Sequence, residues 1–483
     1  ISERFSNESD QILVLLGSGT NGSDGIVAAS NLIFRGYDVS IVILRPRLKN
    51  DKDLQRLYAQ QESQIFDYSD NQSKFSINQF TELINKSDVI VDAVFGTGLS
   101  RPINLELGKF FKIIQDNQST KSIISVDLPS GLNPDNGKVD PSAISADFTL
   151  ALGFPKLGHF NPLAIEYVGE LKVLDIGLNQ EFEENILTRT ISTPSFNEFP
   201  VRKLNSNKGT FGKTLIIGGS KNFPGSVSLA ANAAYRVGSG LIEGMIPANI
   251  IGSFSALTPE AIVFPLPIDQ FGEMEMTPTT NLSIASEINQ YSSILLGCGL
   301  GISAIKIQFV QNLLFSSSAH SKFVIDADAL NILSNTYKWW DRFSTKAVLT
   351  PHLKEMARLT RMSILDIQND RVEVVRHFAQ YWNKIIVLKG AFTLIGFPTG
   401  EVLVNPESNP LLSTAGTGDV LAGMIAGFVS QGLSLEKSSE LGVFIHSEIA
   451  KNEKHIKGTS GLLASDLVNK IPEVINVFRD KNG

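Results

Sequence analysis

One cysteine, Cys298, occurs in 483 residues. That scarcity excludes an intrachain disulfide framework and a cysteine-caged zinc site. It fits a reducing compartment, so a cytoplasmic protein is expected. No apolar run reaches the roughly 20 residues needed to span a bilayer, and no basic-then-apolar leader pattern opens the chain. No membrane partner is expected. Basic stripes are lacking as well: Arg45, Arg47 and Lys49 make one short cluster in a chain of net charge −7, so nucleic acid is not an expected partner. What is present is 42% hydrophobic and 19% charged residues, the balance of a globular enzyme, in a chain long enough for two or three domains.

Short buried strands alternate with helices. Residues 11–16 read as a strand, then a glycine-rich turn, then an apolar helix over about 26–34 closed by Gly36. Further strands are read at 39–44, 89–94, 122–126 and 148–152. Alternation of this kind predicts a parallel sheet, and the segments 88–94 and 123–127 are apolar on both faces, as buried parallel strands require. Residues 178–207 break the rhythm: polar and acidic first, then mixed, with Pro194 and Pro200. They read as a boundary. A second alternating run follows, with strands at 214–217, 294–296, 322–325, 347–349 and 384–388. The expected architecture is two tandem α/β domains: an N-terminal Rossmann-like doubly wound sheet over 1–198 and a C-terminal α/β domain over 199–483.

In the first half, Gly17-Ser18-Gly19-Thr20-Asn21-Gly22 sits between a strand and a helix and matches a dinucleotide-binding fingerprint. Two features depart from a common dehydrogenase. The second strand ends at Leu44-Arg45 with no acid for ribose hydroxyls, and the turn continues into Ser23-Asp24-Gly25. Arg45 and Arg47 are read either as solvated or as receivers of a 2′-phosphate. Asp92 and Asp127 end strands, each before a glycine-bearing loop, where doubly wound folds place their sites. Asn21, Asp92 and Ser130 offer oxygen ligands only, which suits a hard cation of low charge. Asp127 is the candidate proton shuttle.

In the second half, Ser413-Thr414-Ala415-Gly416-Thr417-Gly418-Asp419 runs into an apolar helix. Main-chain N–H groups at such a turn gather an anion, and the two glycines let a phosphate approach closely. Asp419 beside an anion site is read as the base that takes a proton from an attacking hydroxyl. Lys389 is read as a solvated strand end or as charge for a phosphate, and Asp326 and Asp328 as mainly structural caps. Cys298 is read as a small buried residue with no base beside it.

These segments together resemble the bifunctional NAD(P)H-hydrate repair enzymes, in which an NAD(P)HX epimerase domain is fused to an ADP- or ATP-dependent NAD(P)HX dehydratase domain of ribokinase-like fold. The likeness rests on residues 17–25, 92–99, 126–131 and, more weakly, Pro155-Lys156-Leu157-Gly158. In the second half it rests on Lys208-Gly209 with Gly212-Lys213, Gly218-Gly219-Ser220, Pro224-Gly225, Asp326-Ala327-Asp328-Ala329-Leu330-Asn331, Thr350-Pro351-His352 with Glu355, Lys389-Gly390-Ala391, and the 413–419 turn. The turn Thr20-Asn21-Gly22-Ser23-Asp24 departs from the family's usual Asn-Asn-Gly-Gly-Asp.

The resemblance implies roles. Thr20, Asn21, Gly22, Ser23 and Asp24, with Gly96, Thr97, Gly98, Leu99, Ser100, Arg101 and Pro102, would hold the hydrated nucleotide, and Asp127 would contact it. Asn21, Asp92 and Ser130 would bind potassium. In the second domain Lys389, Gly390, Ala391, Phe392 and Thr393, with Ala415, Gly416, Thr417 and Gly418, would face ADP or ATP carrying Mg²⁺. His352, Asp419, Ala231 and Gly299 would face the hydrate. Partners would be NAD(P)HX and an adenine nucleotide, and a homo-oligomer is expected. The rival reading is a vitamin-precursor alcohol kinase with a fused nucleotide-binding module.

Overall fold

The computed structural model describes residues 10–47, 51–61, 64–68, 75–98, 101–178, 186–194, 199–275, 284, 287–318 and 320–480. The chain divides into two compact units, Ile1–Asn185 and Ile186–Gly483. Among the described residues no helix is long and apolar enough to cross a membrane.

Among the described residues the first unit holds a sheet of seven strands: β1 (Gln11–Leu16), β2 (Asp38–Ile43), β3 (Ile65–Asp67), β4 (Val89–Ala93), β5 (Ser122–Val126), β6 (Phe148–Leu152) and β7 (Glu170–Leu174). Their spatial order is β3-β2-β1-β4-β5-β6-β7, and every pairing is parallel. Successive residues of β1 feed opposite faces: Ile12, Val14 and Leu16 pack into one core layer, and Leu13 and Leu15 into the other. That two-sided burial is why the strand reads as a continuous apolar run. The order reverses between β1 and β4, which opens a crevice beyond their C-terminal ends.

The helix after β1 spans Thr20–Phe34 with Gly19 as N-cap. It therefore begins before the apolar periodicity does, and Asn21 to Asp24 lie inside it rather than in a preceding turn. A side chain at Gly25 would press on Ala93 Cβ at 2.5 Å and Leu16 Cδ2 at 2.7 Å, so that glycine sets the close helix-to-sheet distance.

Among the described residues the second unit holds ten strands: β8 (Thr188–Thr190), β9 (Lys213–Ile217), β10 (Leu241–Pro247), β11 (Ile262–Leu266), β12 (Ser293–Leu296), β13 (Phe323–Ile325), β14 (Ala347–Leu349), β15 (Ile385–Leu388), β16 (Leu394–Gly396) and β17 (Val402–Val404). Their order is β11-β10-β9-β12-β13-β14-β15-β16-β17-β8. The run from β11 to β15 is parallel, and β16 and β17 add antiparallel. Strand β8 pairs with β17, so residues 188–190 belong to this sheet and not to the first domain, where the expected boundary after residue 198 had placed them. The helix Thr417–Ser430 is buried along nearly its whole length and packs with the helix Pro224–Val237 in the main core. The C-terminal ends of β12 to β15 deliver Cys298, Asp326, Thr350 and Lys389 to one edge.

Candidate functional sites

In the first unit the crevice is lined from three segments. Asn21 is buried and its Nδ2 donates to the Phe95 carbonyl at 2.9 Å. Its Oδ1 is buried with no hydrogen-bond partner among the described residues. Asp92 is fully buried. Its carboxylate accepts from Val94 N, Ser125 Oγ, Ser130 N and Ser130 Oγ, the last at 2.6 Å. Burial pushes its pKa up while those four donors oppose the rise. Ser130 Oγ also accepts from Phe95 N at 3.0 Å, so Asn21, Asp92 and Ser130 converge on the start of the 95–98 loop. Thr97, Gly98, Arg101 and Pro102 are exposed there. Leu99 and Ser100 lie outside the described residues.

Asp127 has φ 65°, a conformation a non-glycine residue adopts only where its surroundings enforce it. The enforcement is visible. Its N–H donates to Leu150 O at 2.9 Å, its carboxylate is paired with Lys156 and accepts from Leu152 N, and its carbonyl lies 3.0 Å from His159 Nε2. His159 Nδ1 accepts from Lys156 N, so Nε2 carries the proton and donates to Asp127 O. Burial lowers the His159 pKa to about 4, keeping the ring neutral. Asp24, exposed on the helix start, has its pKa raised by partial burial and by the Asp127 charge. The two acids therefore share one electrostatic field. Lys156 was only faintly legible, in the short motif Pro155-Lys156-Leu157-Gly158, and His159 was not read from the sequence, because the link of both to Asp127 is purely spatial.

Arg47 is neither solvated nor open to a phosphate. Its guanidinium donates to Gly17 O at 2.6 Å, Gly19 O at 3.3 Å and Ser23 Oγ at 2.7 Å, and it pairs with Asp51. The hydroxyl that replaces the expected glycine at position 23 is thus turned toward Arg47. Arg45 lies over the Phe95 ring, 5.2 Å from its centroid.

In the second unit, Lys389, Gly390, Ala391, Thr393, Thr417 and Gly418 line a cavity of about 350 Å³, together with Asn405 and His446. Phe392, Ala415 and Gly416 are outside that lining. Phe392 adopts φ 52°, and buried Arg371 fixes the loop by donating to Ala391 O at 2.8 Å. Gly416, the N-cap of the helix Thr417–Ser430, is left-handed at φ 90°. Thr417 Oγ1 lies 2.9 Å from both Leu412 O and Thr414 O, knotting the turn. The helix start leaves N–H groups without intrahelical partners.

Beside this cradle stands Asp419, with the Ser226 and Cys298 side chains next to its carboxylate. Burial first, then the Asp326 charge, pushes its pKa up to about 7. Asp326 occupies the N-cap position of the helix Ala327–Ser334 but makes no side-chain bond to it; its carboxylate accepts instead from Lys389 Nζ and Thr350 Oγ1, each at 2.7 Å. Lys389 is therefore a paired ammonium rather than a solvated strand end, and a Cβ on Gly418 would sit 3.1 Å from its Nζ. Asp328 instead accepts from Gly301 N at 2.7 Å, pinning the 297–301 loop. Cys298 does have acids beside it, contrary to expectation. Its burial and the Asp419 and Asp326 charges raise its pKa well above the ordinary value, so it stays an unreactive thiol.

His352 caps the helix Leu353–Thr360. Its Nδ1 accepts from Lys354 N and Glu355 N, which puts the proton on Nε2, 3.3 Å from Glu355 Oε1. Burial and Lys389 lower its pKa. Gly299, at φ 61°, rests against Phe223 and Ser226. Ala231 is wholly buried in the main core. Ser226, at the start of the same helix, occupies the position beside Asp419 and Gly299, and the sequence carried no separate signal for it.

Fold and site define the class: a two-domain α/β enzyme, a Rossmann-like unit followed by a ribokinase-like unit. Residues 214–473 match the family model described as NAD(P)H-hydrate dehydratase, and residues 1–158 match that of YjeF-related protein N-terminus. A bifunctional NAD(P)H-hydrate repair enzyme of Dictyoglomus turgidum is 33% identical over 100% of this chain and 92% of its own length. Two solved structures resemble the second unit. A ribokinase-like superfamily protein of Enterococcus faecalis has 25% identity and a TM-score of 0.52, covering 61% of this chain and 99% of that one. An ADP/ATP-dependent NAD(P)H-hydrate dehydratase of Bacillus subtilis, co-crystallised with ATP and Mg²⁺, has 28% identity and a TM-score of 0.50, covering 60% of this chain and 100% of that one. The chain belongs to the family of bifunctional NAD(P)H-hydrate repair enzymes.

Proposed function

We propose that this chain restores hydrated NADH and NADPH, its first unit interconverting the R and S hydrates and its second dehydrating the S form with ADP or ATP. The observation that carries the reading is Asp419: a carboxylate whose pKa is about 7, next to a helix N-terminus and a lysine. A carboxyl raised toward neutrality by burial and the Asp326 charge suits a general base. Asp419 takes the proton of the hydrate's hydroxyl as that oxygen attacks the terminal phosphorus. The bond from phosphorus to the bridging oxygen breaks, leaving AMP or ADP and a phosphorylated hydrate. The cradle at 415–418 and Lys389 offset the charge on the transferring group. Phosphate then departs with the C–O bond pair, the ring nitrogen's lone pair forms an iminium, and loss of a proton from the adjacent ring carbon restores the dihydropyridine. Mg²⁺ would arrive with the nucleotide.

In the first unit Asp127 moves the proton between hydrate forms, with Lys156 holding its carboxylate. Potassium fits the residues present: Asn21 Oδ1 is a buried oxygen without a hydrogen-bond partner among the described residues, and Asn21 and Ser130 both bond to the Phe95 main chain, with Ser130 bonded on to Asp92. The ion would supply positive charge to order this end of the crevice. The domains divide near residue 185, and a homo-oligomer in the cytoplasm remains our expectation.

The test is to incubate the protein with hydrated NADH plus ADP or ATP and follow absorbance at the NADH wavelength. Recovery of NADH supports the reading. Accumulation of a stable phosphorylated alcohol without recovery supports an alcohol kinase instead.

A further inference from the structure

Asp326 and Lys389, at the ends of β13 and β15, meet Asp419 from the helix Thr417–Ser430. Asp326 is about 1% exposed, so it does not reach a substrate. Its carboxylate nonetheless touches the machinery on two sides. One oxygen accepts from Lys389 Nζ and from Thr350 Oγ1, each at 2.7 Å. The other lies 4.0 Å from Cys298 Sγ, and ligand atoms of Cys298, Asp326 and Asp419 all fall within 4.8 Å of one another.

The backbone is built to hold it there. The next residue, Ala327, adopts φ 50°, a strained conformation for a residue with a Cβ. Gly297 at φ 121° leaves room for the Asp326 carbonyl, which any Cβ there would strike. Thr350 has its hydroxyl aimed at the carboxylate and is itself fully buried. A cap would need none of this, and Asp326 makes no cap bond.

We propose that Asp326 is a positioning residue of the dehydratase site, tethering the Lys389 ammonium against the phosphate cradle and holding a second negative charge beside the base Asp419. The inference rests on the reading of Asp419 as base. The charged and titratable groups facing Asp419 are Asp326, Lys389 and Cys298. Glu355 and His352 face Lys389 and Asp326 from the helix Leu353–Thr360, with Arg358 behind them, and His446 faces Lys389 from the helix Leu435–Lys457. Of these, Asp326 is the group whose charge opposes ionisation of Asp419 directly.

The test is the pH profile of dehydratase kcat/KM for the wild type, Asp326→Asn, Asp326→Glu and Asp419→Asn. Removing the Asp326 charge should move the acid limb down by about one pH unit or more, and should raise KM for the nucleotide as Lys389 loses its tether. Asp326→Glu keeps the charge but moves it outward, so its limb stays at the wild-type position while kcat falls by about tenfold or more. An Asp326→Asn profile that superimposes on the wild type overturns the proposal, and so does an Asp326→Glu enzyme with wild-type kcat. If Asp326→Asn does not fold, the glutamate variant carries the test alone. Asp419→Asn separates the two claims: near-normal turnover there removes the base itself, whereas a dead Asp419→Asn with an unmoved Asp326→Asn limb removes only the coupling.

Discussion

His446 Nε2 lies 3.0 Å from the carbonyl oxygen of Thr417, the first residue of the helix that opens the phosphate cradle. A carbonyl only accepts, so that nitrogen carries the proton. Burial lowers the His446 pKa to about 4, and burial does the same to His159 behind Asp127. Both rings are neutral donors at neutral pH. Their folded pKa values lie below the ordinary 6.5, so the unfolded chain binds the proton first on acidification. Their stabilising contribution is complete above about pH 6.5 and is lost as pH falls toward 4. Each drop is roughly 3 kcal/mol at most. Urea midpoints measured from pH 7 to pH 4.5 should fall steeply, and His446→Gln, which keeps a donor without titrating, should flatten part of that slope. A slope unchanged by the substitution would show that His446 does not titrate in this range.

Arg47 gives a sharper test in the first unit. Its side chain is 5% exposed and supplies donors to two carbonyls and the Ser23 hydroxyl. Arg47→Ala leaves the Gly17 carbonyl short of a charged partner, at a cost of about 2 kcal/mol. Lysine would not replace the fork. We expect Arg47→Ala to lower the melting temperature of the first unit and slow epimerisation of both hydrates alike, with dehydratase turnover unchanged. Were Arg47 a 2′-phosphate receptor, hydrated NADPH would suffer and hydrated NADH would not. Epimerisation rates on the two substrates decide between them.

Potassium dependence should be confined to the first unit. Among the described residues of the first unit, Asn21 Oδ1 is the buried side-chain oxygen without a donor, and none of the residues lining the cavity beside Lys389 and Gly418 carries such an atom. Replacing K⁺ by N-methylglucamine should depress epimerisation severalfold while leaving dehydratase turnover intact. Asn21→Ala should abolish the response to K⁺. An epimerase indifferent to K⁺ would leave the Asn21 oxygen unexplained.

The strands were legible where burial on both faces writes an unbroken apolar run. Ser122–Val126, Phe148–Leu152 and Ala347–Leu349 coincide with the segments read from sequence. Strand β8 is a polar Thr-Arg-Thr with no apolar run, and the short β16 and β17 were not read from the sequence. Strand β10 was missed because Glu243 and Gly244 interrupt its run and Pro247 ends it. The helix start at Thr20 was hidden because Thr20 to Gly25 have no apolar spacing, and Gly19 offers no capping side chain. Tertiary contacts, chiefly Arg47, hold that turn helical. Asp326 reads locally as a cap because position and residue type both suit one. Its real partners, Lys389 and Thr350, are 63 and 24 residues away, a relation only the sheet creates.

The apolar helix Thr417–Ser430 places Asp419, and what sets its depth is the absence of side chains at Gly423 and Gly427. These residues are one turn apart, on the face that meets the helix Pro224–Val237. A Cβ on Gly423 would collide with the Ala230 main chain, and one on Gly427 would come within 2.5 Å of Val237 Cγ2 and 2.8 Å of Ala234 O. The obstacle is largely backbone, so it cannot swing aside as a side chain would. Gly423→Ala must push the two helices apart, at a cost of about 1–3 kcal/mol that exceeds the usual gain of alanine over glycine in a helix. The displacement is carried to Asp419 one turn away, and also to Ser226 on the opposing helix. We therefore expect a lower melting temperature together with dehydratase kcat reduced about tenfold or more, because misplacement of a base by an ångström is costly. Epimerisation, which depends on the other unit, should be unaffected. A Gly423→Ala protein that melts higher than the wild type and turns over normally would mean that the helices do not meet at this distance.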